Sequence, residues 1–203
     1  MVEMKSLSFD EQLAALRERG VGDGAPEFEA ALESARPVTP VERSLLAWSR
    51  QLLPVAAAAA RIQREGKPVV LGQLEPEELA GFVPIEAVEI PDAPAYLATD
   101  IDLGEASRNV RPEDALKEIL AAGRSPLTID EGVALMLQQP SVIARNWGFS
   151  LAGSRRGDQR VPAMWISEKR PKLGWCWDRN PHTWLGTASC AGRIPAYSGA
   201  SAS

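Results

Sequence analysis

Trp147-Gly148-Phe149-Ser150-Leu151-Ala152, Val161-Pro162-Ala163-Met164-Trp165-Ile166-Ser167, Leu173-Gly174-Trp175-Cys176-Trp177 and Trp184-Leu185-Gly186-Thr187-Ala188-Ser189 are four short apolar and aromatic runs that follow Asn146. Connectors rich in Gly, Arg, Asp, Lys and Pro separate them, and their lengths suit antiparallel hairpins. The chain before them carries a different period. Phe9, Leu13 and Leu16 recur at helical spacing behind Ser8, an N-cap residue type, and Gly20 to Gly24 close that segment. The change of period near Asn146 predicts an α+β fold: an N-terminal helical region, two central helices and a C-terminal antiparallel sheet.

Outward from that boundary, Pro26 suits the first turn of a second helix with Phe28, Ala31 and Leu32 as its apolar stripe. Thr39-Pro40 predicts the start of a third helix with Leu45, Leu46, Trp48, Leu52 and Leu53 on one face; Pro54 kinks it, and Ala56 to Ala60 carry it on to Gln63. From Lys67 the pattern becomes mixed. Pro68 to Gly72 reads as a short strand, Pro76 to Leu79 as one helical turn, and Ala95 to Asp102 as a further strand, while Pro84, Pro91 and Pro94 exclude a central strand between them. The central helices are expected at about 112 to 122 and 128 to 139. Pro112, Glu113 and Asp114 favour the first start, and Thr128 with Glu131 forms a capping box at the second. Residues 1–193 are expected to form one domain, with a helical part over 1–66, a mixed part over 67–146, a basic Trp-rich sheet over 147–193, and a flexible tail over 194–203.

Apolar residues at 45% and charged residues at 24% match ordinary globular chains and exclude wholesale disorder and collagen. The longest apolar stretch, Leu52 to Ala60, is too short to cross a bilayer, so no membrane partner is expected. The first ten residues lack the basic and apolar regions of a secretory signal, which predicts a cytoplasmic protein. Charge is unevenly placed: residues 145 to 193 hold nine bases against three acids, a balance of +6, and the remainder carries −11. Five of the six tryptophans also lie in that basic stretch.

If Trp177 pairs with Trp184 across Asp178 to Thr183, then Trp175 faces Gly186, and Trp175, Trp177 and Trp184 share one face. That cluster is either core or a ligand-facing platform. The same register puts Cys176 about 17 Å from Cys190, too far for a disulfide or a shared zinc, and predicts two reduced thiols with no bound metal. No cofactor is expected either. Gly153-Ser154-Arg155-Arg156-Gly157 lacks the phosphate-loop frame, and Asp100 with Asp102 reads as a polar strand end rather than a magnesium site.

Gly123-Arg124-Ser125-Pro126-Leu127-Thr128-Ile129-Asp130-Glu131-Gly132, Leu151-Ala152-Gly153-Ser154-Arg155, Val161-Pro162-Ala163, Trp165-Ile166-Ser167, Pro171-Lys172-Leu173-Gly174-Trp175-Cys176-Trp177 and Asn180-Pro181-His182-Thr183-Trp184-Leu185-Gly186 closely resemble an actinobacterial family of unknown function. The resemblance runs along the full chain and is most specific in its last 80 or so residues. It implies a cytosolic actinobacterial protein and no particular chemistry.

Two function classes follow. The first is a non-catalytic binding module whose basic C-terminal sheet meets an anionic ligand, nucleic acid among them, or a protein partner. Its candidate ligand-binding residues are Arg155, Arg156, Arg160, Lys172, Trp175 and His182, with charge from the turns and stacking from tryptophan. Against it stands internal neutralisation of the bases by the acidic helices, which a pI near 5.1 favours. The second class is a small hydrolase or transferase using His182, the only histidine, with Asp178 as orienting acid and Ser154, Thr183 or Ser189 as nucleophile. No fixed motif spacing joins those groups.

Overall fold

The computed structural model describes residues 4–196. In chain order its elements are α1 (Phe9–Glu18), α2 (Pro26–Ser34), β1 (Leu45–Trp48), α3 (Val55–Ala59), β2 (Gln63–Arg64), β3 (Lys67–Pro68), β4 (Val70–Leu71), α4 (Pro76–Leu79), β5 (Val83–Pro84) and β6 (Ala95–Thr99). Then come α5 (Pro112–Ala121), β7 (Ser125–Pro126), α6 (Ile129–Gln138), β8 (Gly148–Ser150), β9 (Ser154–Arg155), β10 (Arg160–Ser167), β11 (Arg170–Trp177), β12 (Leu185–Thr187), β13 (Ser189–Cys190) and β14 (Gly192–Pro195). The α+β class is as the period change predicts.

Local chemistry sets the helix starts. Ser8 and Thr128 each accept a hydrogen bond from the amide three residues on, and Glu11 and Glu131 reach back to the cap amides, so both ends carry reciprocal capping boxes. Pro112 occupies the first turn of α5, where its missing N–H costs nothing. α6 is buried along its whole length apart from Asp130. A Cβ at Gly132 would run into the Leu151 side chain, so this position admits only glycine at the present packing distance.

The third helix is where the structure corrects the sequence reading. Leu45-Leu46-Ala47-Trp48 forms β1, antiparallel to β6 with Leu45 opposite Ala98 and Trp48 opposite Ala95, and all four residues are buried. A strand covered on both faces reads as an unbroken apolar run, which periodicity alone does not separate from a helix. The alanine run yields only the short α3, capped by Pro54, and the chain turns into β2 after Ile62, which is fully buried. Asp100 also departs from expectation. Its φ of 46° ends β6, so Asp100 and Asp102 do not alternate along one strand.

The C-terminal sheet is mixed rather than antiparallel. Its order is β12-β8-β10-β11-β4, with β12 parallel to β8 and the N-terminal β4 parallel to β11. The hairpin pairing Trp177 with Trp184 is therefore absent: β11 pairs with β10 through the tight turn at Glu168 and Lys169, both at positive φ. Cys176 in β11 and Cys190 in β13 belong to different sheets, and both are buried and unbridged. The second main sheet is β1-β6-β14, and β14 continues to Pro195, past the expected start of a flexible tail. The rest of that tail, from 197 on, lies outside the described residues. One apolar cluster draws on α1, α2, β1, α6, β6 and the inward face of β10 and β11, and a smaller one joins Ala152, Val161, Ala163, Cys176 and Leu185 on the other face.

Candidate site on the C-terminal sheet

The β10–β11 register sorts the predicted residues onto two faces. Arg160 lies opposite Trp177 and Pro162 opposite Trp175, so these side chains share one face; Trp165 lies opposite Lys172 on the other, together with Cys176. On the first face Trp175 and Trp177 meet edge to face at 4.8 Å, the Arg160 guanidinium stands 5.5 Å from the Trp175 ring, and Trp177 is 48% exposed. The platform expected from three tryptophans therefore contains two of them.

Most of the predicted arginines are engaged within the chain. Arg156 binds Glu78 at 2.6 Å and Arg160 binds Asp158 at 2.7 Å, while Arg179 reaches Glu113. Arg155 donates to the carbonyls of Ala152 and Ser154; burial pushes its pKa down, against the opposing pull of Asp178. The two candidate catalytic groups are not joined. Neither a hydrogen bond nor an ion pair links His182 to Asp178 among the described residues. The Asp178 Oδ1 atom is buried without a hydrogen-bond partner, and the His182 ring packs on Trp184 at 5.0 Å. Burial lowers the His182 pKa. Of the candidate nucleophiles, Ser154 caps α6 by accepting from the Ile129 amide, and Ser189 accepts from Arg124.

Lys172 and His182 do come together, through tryptophan. Trp184 lies 5.8 Å from Trp165, with His182 against Trp184 and the Lys172 ammonium 5.8 Å from the Trp165 ring. Trp165, Trp184 and Trp147 line a cleft of about 240 Å³ with Ala144, Asn146 and Ile166. On the Trp147 ring sits the guanidinium of Arg108, 3.8 Å from its centroid. Trp147 and Arg108 belong to a constellation that the sequence did not suggest, because Arg108 lies in the acidic part of the chain, far from the Trp-rich run. The aromatic content of that run was the available signal.

A second group also escaped the sequence reading. Glu131, fully buried, accepts from Arg193 Nε and Nη2, from Tyr96 Oη and from the Thr128 amide and hydroxyl, while Arg193 also donates to Ser125 and to the Pro126 carbonyl. Burial opposes the Arg193 charge, but the Glu131 contacts more than offset this and hold its pKa above the usual value; burial and the Glu131 charge push Tyr96 up. Arg193 and Ser125 also line a cleft of about 690 Å³ whose rim holds Glu86, Glu89 and Asp92. Glu131 announced itself only as a capping-box residue and Arg193 only as one more base.

Among the described residues, no three His, Cys, Asp or Glu side chains are gathered as metal ligands, and no helix is long and apolar enough to cross a membrane. The fold and these sites define an α+β protein with a mixed, tryptophan-bearing sheet and, between α6 and β14, a buried ionic clamp. Residues 8–196 match the model of a family of unknown function, DUF5701, and the chain belongs to that family. No curated protein and no solved structure matches the chain.

Proposed function

We propose that this protein is a non-catalytic, cytoplasmic binding module of an actinobacterium, acting as one domain over residues 1–193 and taking a small anionic ligand on its C-terminal sheet. One observation carries the reading. Arg156, Arg160, Arg179 and Arg193 are ion-paired within the chain, whereas Lys172 and His182 flank the Trp165–Trp184 pair with no ion-pair partner among the described residues. Internal pairing of the arginines argues against an extended polyanion, whose affinity comes from many unpaired bases in a row. Catalysis by His182 would need a base within reach of a nucleophile, and the ring packs on Trp184 instead.

The test is a titration at low salt followed by NMR of the His182 ring and the indole N–H groups. Inorganic phosphate should move the His182 and Trp184 signals, and Lys172→Met should remove the effect. Binding of labelled single-stranded RNA that falls steeply with salt and is lost in an Arg155→Ala, Arg156→Ala double variant would place the anion site at the turns instead. Silence with both probes would sink the anion reading. A protein partner is the second reading, favoured by the exposure of Trp177 beside Trp175 and Arg160, residue types that dominate protein interfaces. A photo-crosslinker placed at Trp177 would have to capture one partner whose purified complex weakens in Trp177→Ala.

A further inference from the structure

The cleft between Trp147, Trp165 and Trp184 has the chemistry of a site for one planar ring. At about 240 Å³ it is smaller than the clefts that hold drug-sized ligands, and it suits a single ring system. Three indoles line it, and no carboxylate does. Tryptophan clusters also attract cations, but here the rings already have basic neighbours: Arg108 on Trp147, Lys172 by Trp165 and His182 on Trp184. A further cation would meet like charge.

A second observation points to a missing acceptor. The Arg108 guanidinium stands 3.8 Å from the centroid of the Trp147 ring, and the Trp147 Nε1 and Arg108 Nε atoms are each buried without a hydrogen-bond partner among the described residues. Arg108 also lacks an ion-pair partner there, donating only to the Asn146 carbonyl. Buried donors of this kind are rare, because leaving one unpaired forfeits its hydration without return. Two of them on one stacked pair are donors that an anionic oxygen from outside the chain would satisfy.

We propose that this cleft binds a small planar aromatic anion, its ring stacked among Trp147, Trp165 and Trp184 and its carboxylate or phosphate held by the bases around them. This rests on the anion reading above and adds to it the aromatic ring and its seat. A ring between indoles gains stacking that an aliphatic group of equal charge does not.

Full-length protein is titrated at low salt with two matched pairs: benzoate against cyclohexanecarboxylate, and adenosine 5′-monophosphate against ribose 5-phosphate. The aromatic member of at least one pair should bind about tenfold more tightly than its partner. The pair that responds distinguishes a carboxylate from a phosphate ligand. In the wild type, nuclear Overhauser contacts should run from the bound ring to the indole protons of Trp147, Trp165 and Trp184. Trp184→Leu should abolish the aromatic preference, Lys172→Met should weaken all members alike, and Trp177→Leu, on the other face, should change nothing. The Overhauser measurement keeps the test decisive if Trp184→Leu does not fold. Equal binding within both pairs, still lost in Lys172→Met, would overturn the ring inference and leave the anion site standing. No binding of any of the four up to about 10 mM, where even a millimolar site is largely filled, would overturn both.

Discussion

Arg193 and Arg108 sit at opposite ends of a contrast in how this protein treats buried charge. Beneath β14, Arg193 meets Glu131, Ser125 and the Pro126 carbonyl, and Glu131 in turn takes Tyr96 and the capping contacts of Thr128. That polar network is closed on itself. Beside the tryptophan cleft, Arg108 covers Trp147 with one donor unpaired and no ion-pair partner among the described residues. In a low-dielectric interior a closed network holds the fold in one arrangement, whereas an open one leaves a group whose partner must come from elsewhere. The clamp therefore belongs to stability, although a much larger cleft lies over it, and the open pair is what the proposed anion site would draw on.

The largest expected effect breaks the closed side. Arg193→Met strands the Glu131 carboxylate in the core and should cost about 3–5 kcal/mol in urea denaturation. Adding Glu131→Leu should recover much of that loss, because both charges then leave together. A single variant as stable as wild type would mean the clamp does not hold the fold.

The buried thiols give the next effect, through pH. Burial raises the Cys176 pKa from 9.0 to about 12 and the Cys190 pKa to about 11. Above pH 9 the unfolded chain releases these protons while the folded chain keeps them. Stability should therefore fall by a few kcal/mol as pH rises through that window, and Cys176→Ala should flatten the slope. An unchanged slope in Cys176→Ala and Cys190→Ala variants would show that other groups set the alkaline limit.

Gly132→Ala should cost about 1–3 kcal/mol, since the new methyl group has to displace Leu151. Trp177→Leu, at the exposed end of β11, should move stability by no more than about 0.5 kcal/mol. A much larger loss would make Trp177 part of the core rather than a contact residue. The smallest effect is spectroscopic. His182 should titrate below the ordinary 6.5, and Trp184→Leu should bring it back toward that value by admitting water. A midpoint at or above 6.5 in the wild type would mean that packing on Trp184 does not shield the His182 ring from water.

Much of the fold was legible where local chemistry decides it. Ser8 and Thr128 cap helices because their hydroxyls reach the first free amides, and that contact needs nothing beyond three neighbouring residues. The proline-rich segment from 83 to 94 could host no central strand, and it supplies only the two-residue β5. Leu45 to Trp48 was misread because burial on both faces erases the period that separates strand from helix. Trp177 ends β11 and Trp184 leads into β12, strands that are not neighbours, because β12 joins β8 and β11 takes β4 from far up the chain. The candidate site was legible only as a composition. A basic, Trp-rich stretch pointed to binding, while its partition into Trp175 with Trp177 on one face and Trp165 with Lys172 on the other depended on the register.

By itself, then, the sequence determined what short-range forces determine: helix starts, turn positions, the α+β class and the gathering of tryptophan and positive charge toward the C-terminus. Tertiary structure alone decided which buried charges close on each other. Glu131 and Arg193 lie 62 residues apart, and Arg108 reaches the carbonyl of Asn146 across 38. Whether an arginine is satisfied depends on groups that only long-range packing brings within hydrogen-bond distance, and a linear pattern holds no record of that distance.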